Sequence, residues 1–292
     1  MSGTSRAGIW LYALRAPFLT ASGIPVLLGA FAAFGRTGDL DPAKLALTVG
    51  AVLCVHLGAN LANDYFDELT GCDPLNPEPT PFSGGSRVIE QGLIPGSHIL
   101  AASAGFFALA LVQGIWLNHI IPGNLVLWLG VAGILCAVLY TAIPFKLSYR
   151  GVGEVVIFIA FGPLAVMGGY LCQTGRLEAY PLALSVNEVL DVTWDGRAGK
   201  RTVVVRIGKR RGYMLYLAAY VAANAWIAVG LIVRIYPLLA VAAFIPTAVF
   251  GRRLLPGKAL SERGATINAS RLTILTHTIA TSLLAVSYLV PH

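Results

Sequence analysis

The chain has 292 residues, of which 56% are hydrophobic and only 12% charged, and its mean hydropathy is +0.72. That charged fraction is about half the ~25% of an ordinary soluble domain. It excludes a disordered chain, a coiled coil and a conventional soluble enzyme, and indicates a polytopic helical membrane protein. The formal charge of +7 then reports Lys and Arg retained in cytoplasmic loops, and nucleic-acid binding is not expected. The four cysteines, Cys54, Cys72, Cys136 and Cys172, have no C-x-x-C spacing. Three lie in apolar stretches, so neither a disulfide framework nor a metal finger is expected.

Stretches free of Asp, Glu, Lys and Arg predict the spans in chain order. The first covers residues 16–35 and the second 45–63. The first is too long for the apolar region of a signal peptide and reads as a retained span. Residues 91–145 are uncharged throughout but broken at Pro122-Gly123-Asn124. They predict two spans, about 99–118 and 125–144, joined by a tight turn flanked by Trp116 and Trp128 as interface anchors. Further spans are expected at 155–175, 212–233, 235–251 and 272–292. The runs are continuously apolar and do not alternate, so the expected fold is all-α, not a β-barrel. His56 and His277 fall inside apolar spans, where interhelical hydrogen bonding is their expected role.

Residues 177–190 are the exception. A helix there reaches only about 21 Å, short of the ~30 Å hydrocarbon core. Charge nevertheless favours a crossing. With it, and with a cytoplasmic N-terminus, every Lys and Arg except Arg36, Lys44, Arg176 and Arg234 lies inside. The expected architecture is one transmembrane domain over residues 1–292, with eight full spans and a shortened sixth. It places the protein in the cell (inner) membrane as a multi-pass protein.

Two acidic loops stand at span ends. The first holds Asn60, Asn63, Asp64, Asp67 and Asp73; the second holds Asn187, Glu188, Asp191 and Asp195, followed by Arg197, Lys200 and Arg201. On a helix end Asn63 and Asp67 are four apart, as are Asn187, Asp191 and Asp195, so each set points one way. Two facing carboxylate clusters on one membrane side suit Mg²⁺, which binds through carboxylates, waters and substrate phosphates. The neighbouring basic residues could neutralise the same phosphates. Solvated loop acids with capping roles and a transporter ion site are the competing readings.

These residues resemble a known family. The segments at 60–73 and 187–202 are similar to the two aspartate-rich motifs of the UbiA superfamily of intramembrane prenyltransferases, and most of all to its 1,4-dihydroxy-2-naphthoate (menaquinone-type) branch. The intervening Gly84-Gly85, Tyr140-Thr141, Pro144, Lys146, Tyr149 and Gly162-Pro163 fit the same branch, as does the opening Leu14-Arg15-Ala16-Pro17. The resemblance implies a nine-helix bundle with active-site loops at about 60–98 and 187–211. It implies Mg²⁺ bound at Asn63, Asp67 and Asp73 in one group and at Asp191 and Asp195 in the other. Asn60, Asp64 and Asn187 would lie beside the diphosphate. The implied reaction is transfer of a polyprenyl group from an allylic diphosphate to an electron-rich aromatic ring, with water excluded. Other acceptors of the superfamily, or a non-catalytic carrier or degenerate homologue, are the alternatives. Two departures stand out: Leu190 occupies a position that is often basic in the family, and the interval between Gly175 and Asn187 is short for a full span.

Accessory residues carry two readings each. Lys146 and Tyr149 follow Pro144 at a span end and either bind diphosphate or acceptor, or anchor the interface. Tyr65 and Tyr140 either face the developing cation through their rings or belong to an interfacial belt. Arg197, Lys200 and Arg201 serve phosphate binding and topology together. Oligomeric state and prenyl chain length are not encoded legibly.

Overall fold

The computed structural model describes residues 5–71, 85–185, 209–254 and 263–290, and among these all regular structure is helical. A short helix α1 (Arg6–Ala13) leads into a 3₁₀ turn at Ala16–Leu19 and α2 (Thr20–Thr37). Then come α3 (Pro42–Leu69), α4 (Gly96–Ile120) and α5 (Leu125–Thr141). The apolar segment Gly153–Thr174 is one rod in three parts: α6 (Gly153–Ile159), a π-helical turn at Ala160–Leu164, and α7 (Ala165–Thr174). Pro163 sits inside the π turn. Its missing N–H and its ring displace the normal hydrogen-bond ladder there. The chain continues with α8 (Tyr180–Leu184), α9 (Lys209–Ile232), a 3₁₀ segment Leu238–Ala243, α10 (Phe244–Leu254) and α11 (Arg263–Ser287).

Each of the eight apolar runs coincides with helix. Four helical stretches, Ala16–Thr37, Pro42–Leu69, Gly96–Ile120 and Gly153–Thr174, are long and apolar enough to cross a membrane. Three more apolar helices, Leu125–Thr141, Leu217–Ile232 and Leu238–Phe250, are shorter. The outer face of α4 presents Leu109, Val112, Ile115 and Trp116, each at least half exposed, as lipid-facing side chains do. Trp116 and Trp128 are both exposed on either side of the turn at Ile121–Asn124. The awkward stretch 177–190 yields only the five-residue α8, and residues 186–190 lie outside the described residues. The Trp226 indole of α9 ties α8 in place, donating to the Ala183 carbonyl at 2.7 Å.

Among the described residues, the helix that carries the first acidic motif is the longest. Asp41 caps α3 by accepting from the Ala43 and Lys44 amides, both at 3.0 Å, and Pro42 occupies its first turn. Its 28 residues extend about 42 Å, longer than the ~30 Å hydrocarbon core. The motif at its C-terminal end therefore stands at the edge of the apolar layer. Three packed clusters hold the bundle. Leu28, Val166, Tyr170, Leu184, Leu284 and Tyr288 join α2, α7, α8 and α11. Leu61, Val88, Ile94 and Ile99 join α3 to the loop and α4 beside the acidic motif. Leu117, Ile121, Val126 and Leu171 close the opposite end.

Candidate active site

The site is built on the last four turns of α3. Residues 56, 60, 63 and 67 are spaced by four, three and four, so they share one face. Three of them, His56, Asn60 and Asn63, line a cavity of about 310 Å³. Its other walls come from the segment Arg15–Phe18, α2, α4, α5, α6, the π turn, α7 and α11. The cavity follows α3 from Asn63 to Thr48, about 22 Å by helical rise. Away from Arg15, Asn60 and Asn63 its surface is dominated by small and aliphatic residues such as Val52, Val55, Gly130 and Ile134.

Two buried carboxylates adjoin Asn63 at the polar end, neither of them among the residues that line the cavity. Asp67 is 1% exposed; it accepts from Asn63 Nδ2 at 2.9 Å and from the Tyr149 hydroxyl at 2.5 Å. Thr70 Oγ1 lies 3.4 Å from the same hydroxyl. The α3 motif is thereby tied to the 3₁₀ turn Leu147–Tyr149, which residue spacing alone does not reveal. Lys146 extends the group, its Nζ 5.6 Å from the centre of the Tyr149 ring.

Asp64, 2% exposed, faces a different set. Arg15 forms an ion pair with its Oδ1, and the Ser86 amide donates to the same oxygen at 3.1 Å. The Ser86 hydroxyl donates to Oδ2. Arg15 also reaches Asn63 Oδ1 at 3.4 Å, and Asn60 Nδ2 donates to the Leu14 carbonyl at 3.1 Å. The segment around Arg15 is thus pinned to α3 by three contacts. Arg15 adopts φ +51°, a left-handed conformation costing an L-residue about 1–2 kcal/mol. The buried partner carboxylate offsets that cost.

Arg15→Gln is expected to destabilise the protein by about 2 kcal/mol, because it leaves Asp64 charged, buried and short of its counter-ion. The full penalty for a broken buried pair is discounted here, since the Arg15 side chain is 23% exposed. A lowered midpoint of thermal unfolding in detergent checks this. Adding Asp64→Asn should restore part of the loss.

Of the residues singled out from sequence, Asn60, Asn63, Asp64, Asp67, Tyr149 and Lys146 come together. Tyr140 lines the cavity, and its carbonyl accepts from Ser148 Oγ at 2.8 Å. Tyr65 does not face the cavity. It packs with Val88, Ile94 and Ile99 and against Phe66, ring centres 5.3 Å apart. Asp73, Asn187, Asp191, Asp195, Arg197, Lys200 and Arg201 lie outside the described residues. Arg15 and Ser86 are site residues that the motif spacing does not announce; Arg15 stands 49 positions from its partner.

Asp67, Asn63 and Asp64 offer only hard oxygen donors, the type that suits Mg²⁺. Among the described residues no group of three or more acidic, His or Cys side chains forms a complete metal cage.

Solved structures with this fold exist. A UbiA homolog from Archaeoglobus fulgidus, bound to GPP and Mg²⁺, aligns at TM-score 0.65 and 16% identity, covering 94% of this chain and 99% of that one. The chain described under digeranylgeranylglyceryl phosphate synthase in membranes aligns at TM-score 0.64 and 17% identity, covering 97% and 98%. At such identities the likeness shows the fold alone. Among curated proteins, human UbiA prenyltransferase domain-containing protein 1 is 32% identical over 232 residues, 74% of this chain and 65% of that protein. The chain thus spans just under two thirds of that relative's length. The 2-carboxy-1,4-naphthoquinone phytyltransferase of Synechocystis is 27% identical over 255 residues, 82% of this chain and 80% of that protein. The family description "UbiA prenyltransferase family" matches residues 22–269. With that match over most of its length and a multi-helix apolar bundle to accommodate it, the chain belongs to the UbiA prenyltransferase family.

Proposed function

We propose that this multi-pass membrane protein transfers a polyprenyl group from an allylic polyprenyl diphosphate to an aromatic acceptor, 1,4-dihydroxy-2-naphthoate, in menaquinone biosynthesis, with Mg²⁺ as cofactor. The observation that carries this reading is the Asn63–Asp67–Tyr149 group, with Asp67 only 1% exposed, beside the Asn63 end of an apolar cavity that follows α3 for about 22 Å. A diphosphate belongs at the polar end and an isoprenoid tail in the apolar part. The Synechocystis relative, named for phytyl transfer to a naphthoquinone, supports the acceptor.

When bound, Mg²⁺ supplies positive charge against which the diphosphate can leave. The chain's own residues do the rest. Asn63 and Tyr149 hold the Asp67 carboxylate in one orientation by hydrogen bonds at 2.9 and 2.5 Å. Asp73, Asp191 and Asp195 complete the two metal-binding groups, with Asn60, Asp64 and Asn187 beside the diphosphate. Lys146, Arg197, Lys200 and Arg201 add cationic donors for phosphate oxygens. Tyr140, in the cavity wall, turns its ring toward the allylic carbon as positive charge develops. The apolar walls exclude water, which would otherwise capture that carbon. In this reading the domain is residues 1–292 in a nine-helix arrangement with a shortened sixth span. Its N-terminus and both aspartate-rich loops, about 60–98 and 187–211, face the cytoplasm across the inner membrane.

Tyr149→Phe is expected to weaken Mg²⁺-dependent binding of a prenyl diphosphate by about 10–100-fold, the usual cost of removing a hydrogen bond that orients a metal ligand. A titration of Mg²⁺ at fixed prenyl diphosphate measures it.

The function is tested by supplying isolated membranes with a polyprenyl diphosphate, Mg²⁺ and a panel of acceptors, and analysing lipids by mass spectrometry. A prenylated naphthalenediol, formed with release of diphosphate and of the acceptor's carboxylate as CO₂, that disappears with EDTA and with Asp191→Ala is the expected result. Product from 4-hydroxybenzoate or a glycerol phosphate ether alone would reassign the acceptor. No product from any acceptor, with folded protein present, would overturn the enzyme reading.

A further inference from the structure

His56 lies about 10 Å deeper along α3 than Asn63, by helical rise, and is 8% exposed. A polar ring in the middle of an apolar span is costly unless its nitrogens are used. One of them is. Ser22 Oγ on α2 lies 3.2 Å from the Leu19 carbonyl and 2.8 Å from His56 Nδ1; with the hydroxyl proton turned to the carbonyl, the oxygen accepts from His56 Nδ1–H. A neutral imidazole with its proton on Nδ1 carries a lone pair on Nε2. Among the described residues nothing hydrogen-bonds Nε2. The nitrogen belongs to a residue that lines the cavity beside Ser22 and Phe161. Phe161 is on the π turn, its ring centre 5.1 Å from that of His56. Two irregular or costly features, the π bulge and the buried imidazole, thus meet at one point of the wall.

We infer that His56 Nε2 accepts a hydrogen bond from a ring hydroxyl of the acceptor, with Ser22 fixing the tautomer and Phe161 flanking the ring. This inference rests on the prenyl-transfer reading and adds to it a residue that selects the acceptor. The depth is right for it. The carbon that is attacked must lie next to the diphosphate held near Asn63 and Asp67. The acceptor's far oxygen then lies one ring deeper, on the same face of α3, where His56 stands. A hydrogen bond accepted from that hydroxyl pushes electron density into the ring and favours a hydroxylated aromatic over an alkyl alcohol or an ether phosphate. A prenyl chain at the same depth has no polar atom to offer.

The test uses the full-length protein in lipid nanodiscs and reads binding rather than turnover. The probes are 1,4-dihydroxy-2-naphthoate, its dimethyl ether, and geranyl diphosphate with Mg²⁺, titrated separately. His56→Leu is expected to weaken dihydroxynaphthoate about tenfold, the size of one net hydrogen bond, and to leave geranyl diphosphate within twofold. The dimethyl ether should bind wild type about tenfold more weakly than the diol does, and His56→Leu should erase that difference. His56→Gln should recover part of the preference. A tie of merely structural value between α2 and α3 would not produce this ligand-specific pattern, and equal weakening of both substrates would overturn the inference. So would an unchanged preference for the diol in a folded His56→Leu protein. If wild type binds geranyl diphosphate but neither aromatic, the His56 inference fails and the diphosphate site stands. Failure to bind geranyl diphosphate would count against the enzyme reading itself.

Discussion

Asp67→Asn is expected to lower prenyl transfer by about a hundredfold or more while leaving the protein folded. The substitution keeps the shape of the side chain. Its carbonyl oxygen can still accept from Asn63 or Tyr149, and the Tyr149 hydroxyl can reverse its role and accept from the new amide. What is lost is one negative charge, buried at 1% exposure, in the place proposed to hold Mg²⁺ against the diphosphate. Charge stabilisation of a leaving group in a water-poor site is worth several kcal/mol, and each ~1.4 kcal/mol is a factor of ten in rate. Asp64→Asn serves as the contrast. Its carboxylate is engaged by Arg15 and Ser86, so its loss should appear first as reduced thermal stability. Steady-state prenyl transfer and a thermal melt on both variants separate the two roles. Near wild-type turnover by Asp67→Asn would remove Asp67 from the metal group.

The largest expected effect on stability lies away from the chemistry, at the crossing of α2 and α7. A Cβ added at Gly29 would lie 2.9 Å from the Tyr170 amide nitrogen and closer still to the Val166 carbonyl. One added at Gly169 would lie 3.0 and 3.1 Å from backbone atoms of Val26 and Ala30, and closer to the Val26 carbonyl. The obstacles are main-chain atoms of helices, which cannot rotate away as a side chain can. Small residues at such a crossing are the means by which membrane helices approach closely. Gly169→Val or Gly29→Val is therefore expected to cost at least about 3 kcal/mol, the upper end of overpacking penalties. Most of the protein should be lost from the monodisperse detergent-soluble fraction. Gly168→Ala, beside it, meets nothing within 4 Å and should be nearly neutral. The doublet Gly168-Gly169 thus divides into one packing residue and one bystander.

The apolar runs were legible because a charge-free stretch of some twenty residues has few physical meanings. The acidic motifs were legible because carboxylates at span ends are expensive and unusual. The pairing of Asp64 with Arg15 was not, since contacts across 49 residues depend on packing that periodicity does not encode. The same holds for Tyr149 on Asp67, 82 positions apart. The π turn left a trace in sequence, Pro163 inside an apolar run, but a proline alone does not distinguish a bulge from a kink or a helix end. His56, inside an apolar span, is expected to form an interhelical hydrogen bond, and its contact with Ser22 on α2 fits that. The cavity it lines requires several helices distant in sequence to be placed at once. Local propensity also left 177–190 ambiguous: Tyr180–Leu184 is helical, but the charge pattern asked for more.

The central claim is that two aspartate motifs hold one diphosphate through Mg²⁺. It is tested most directly by the binding of a prenyl diphosphate to purified protein across a Mg²⁺ titration, with Asp67→Asn and Asp191→Asn measured separately. Tight binding by wild type is expected only with Mg²⁺ present, with a loss of about tenfold or more in each variant. Binding that ignores Mg²⁺, or that survives intact in either variant, would contradict it.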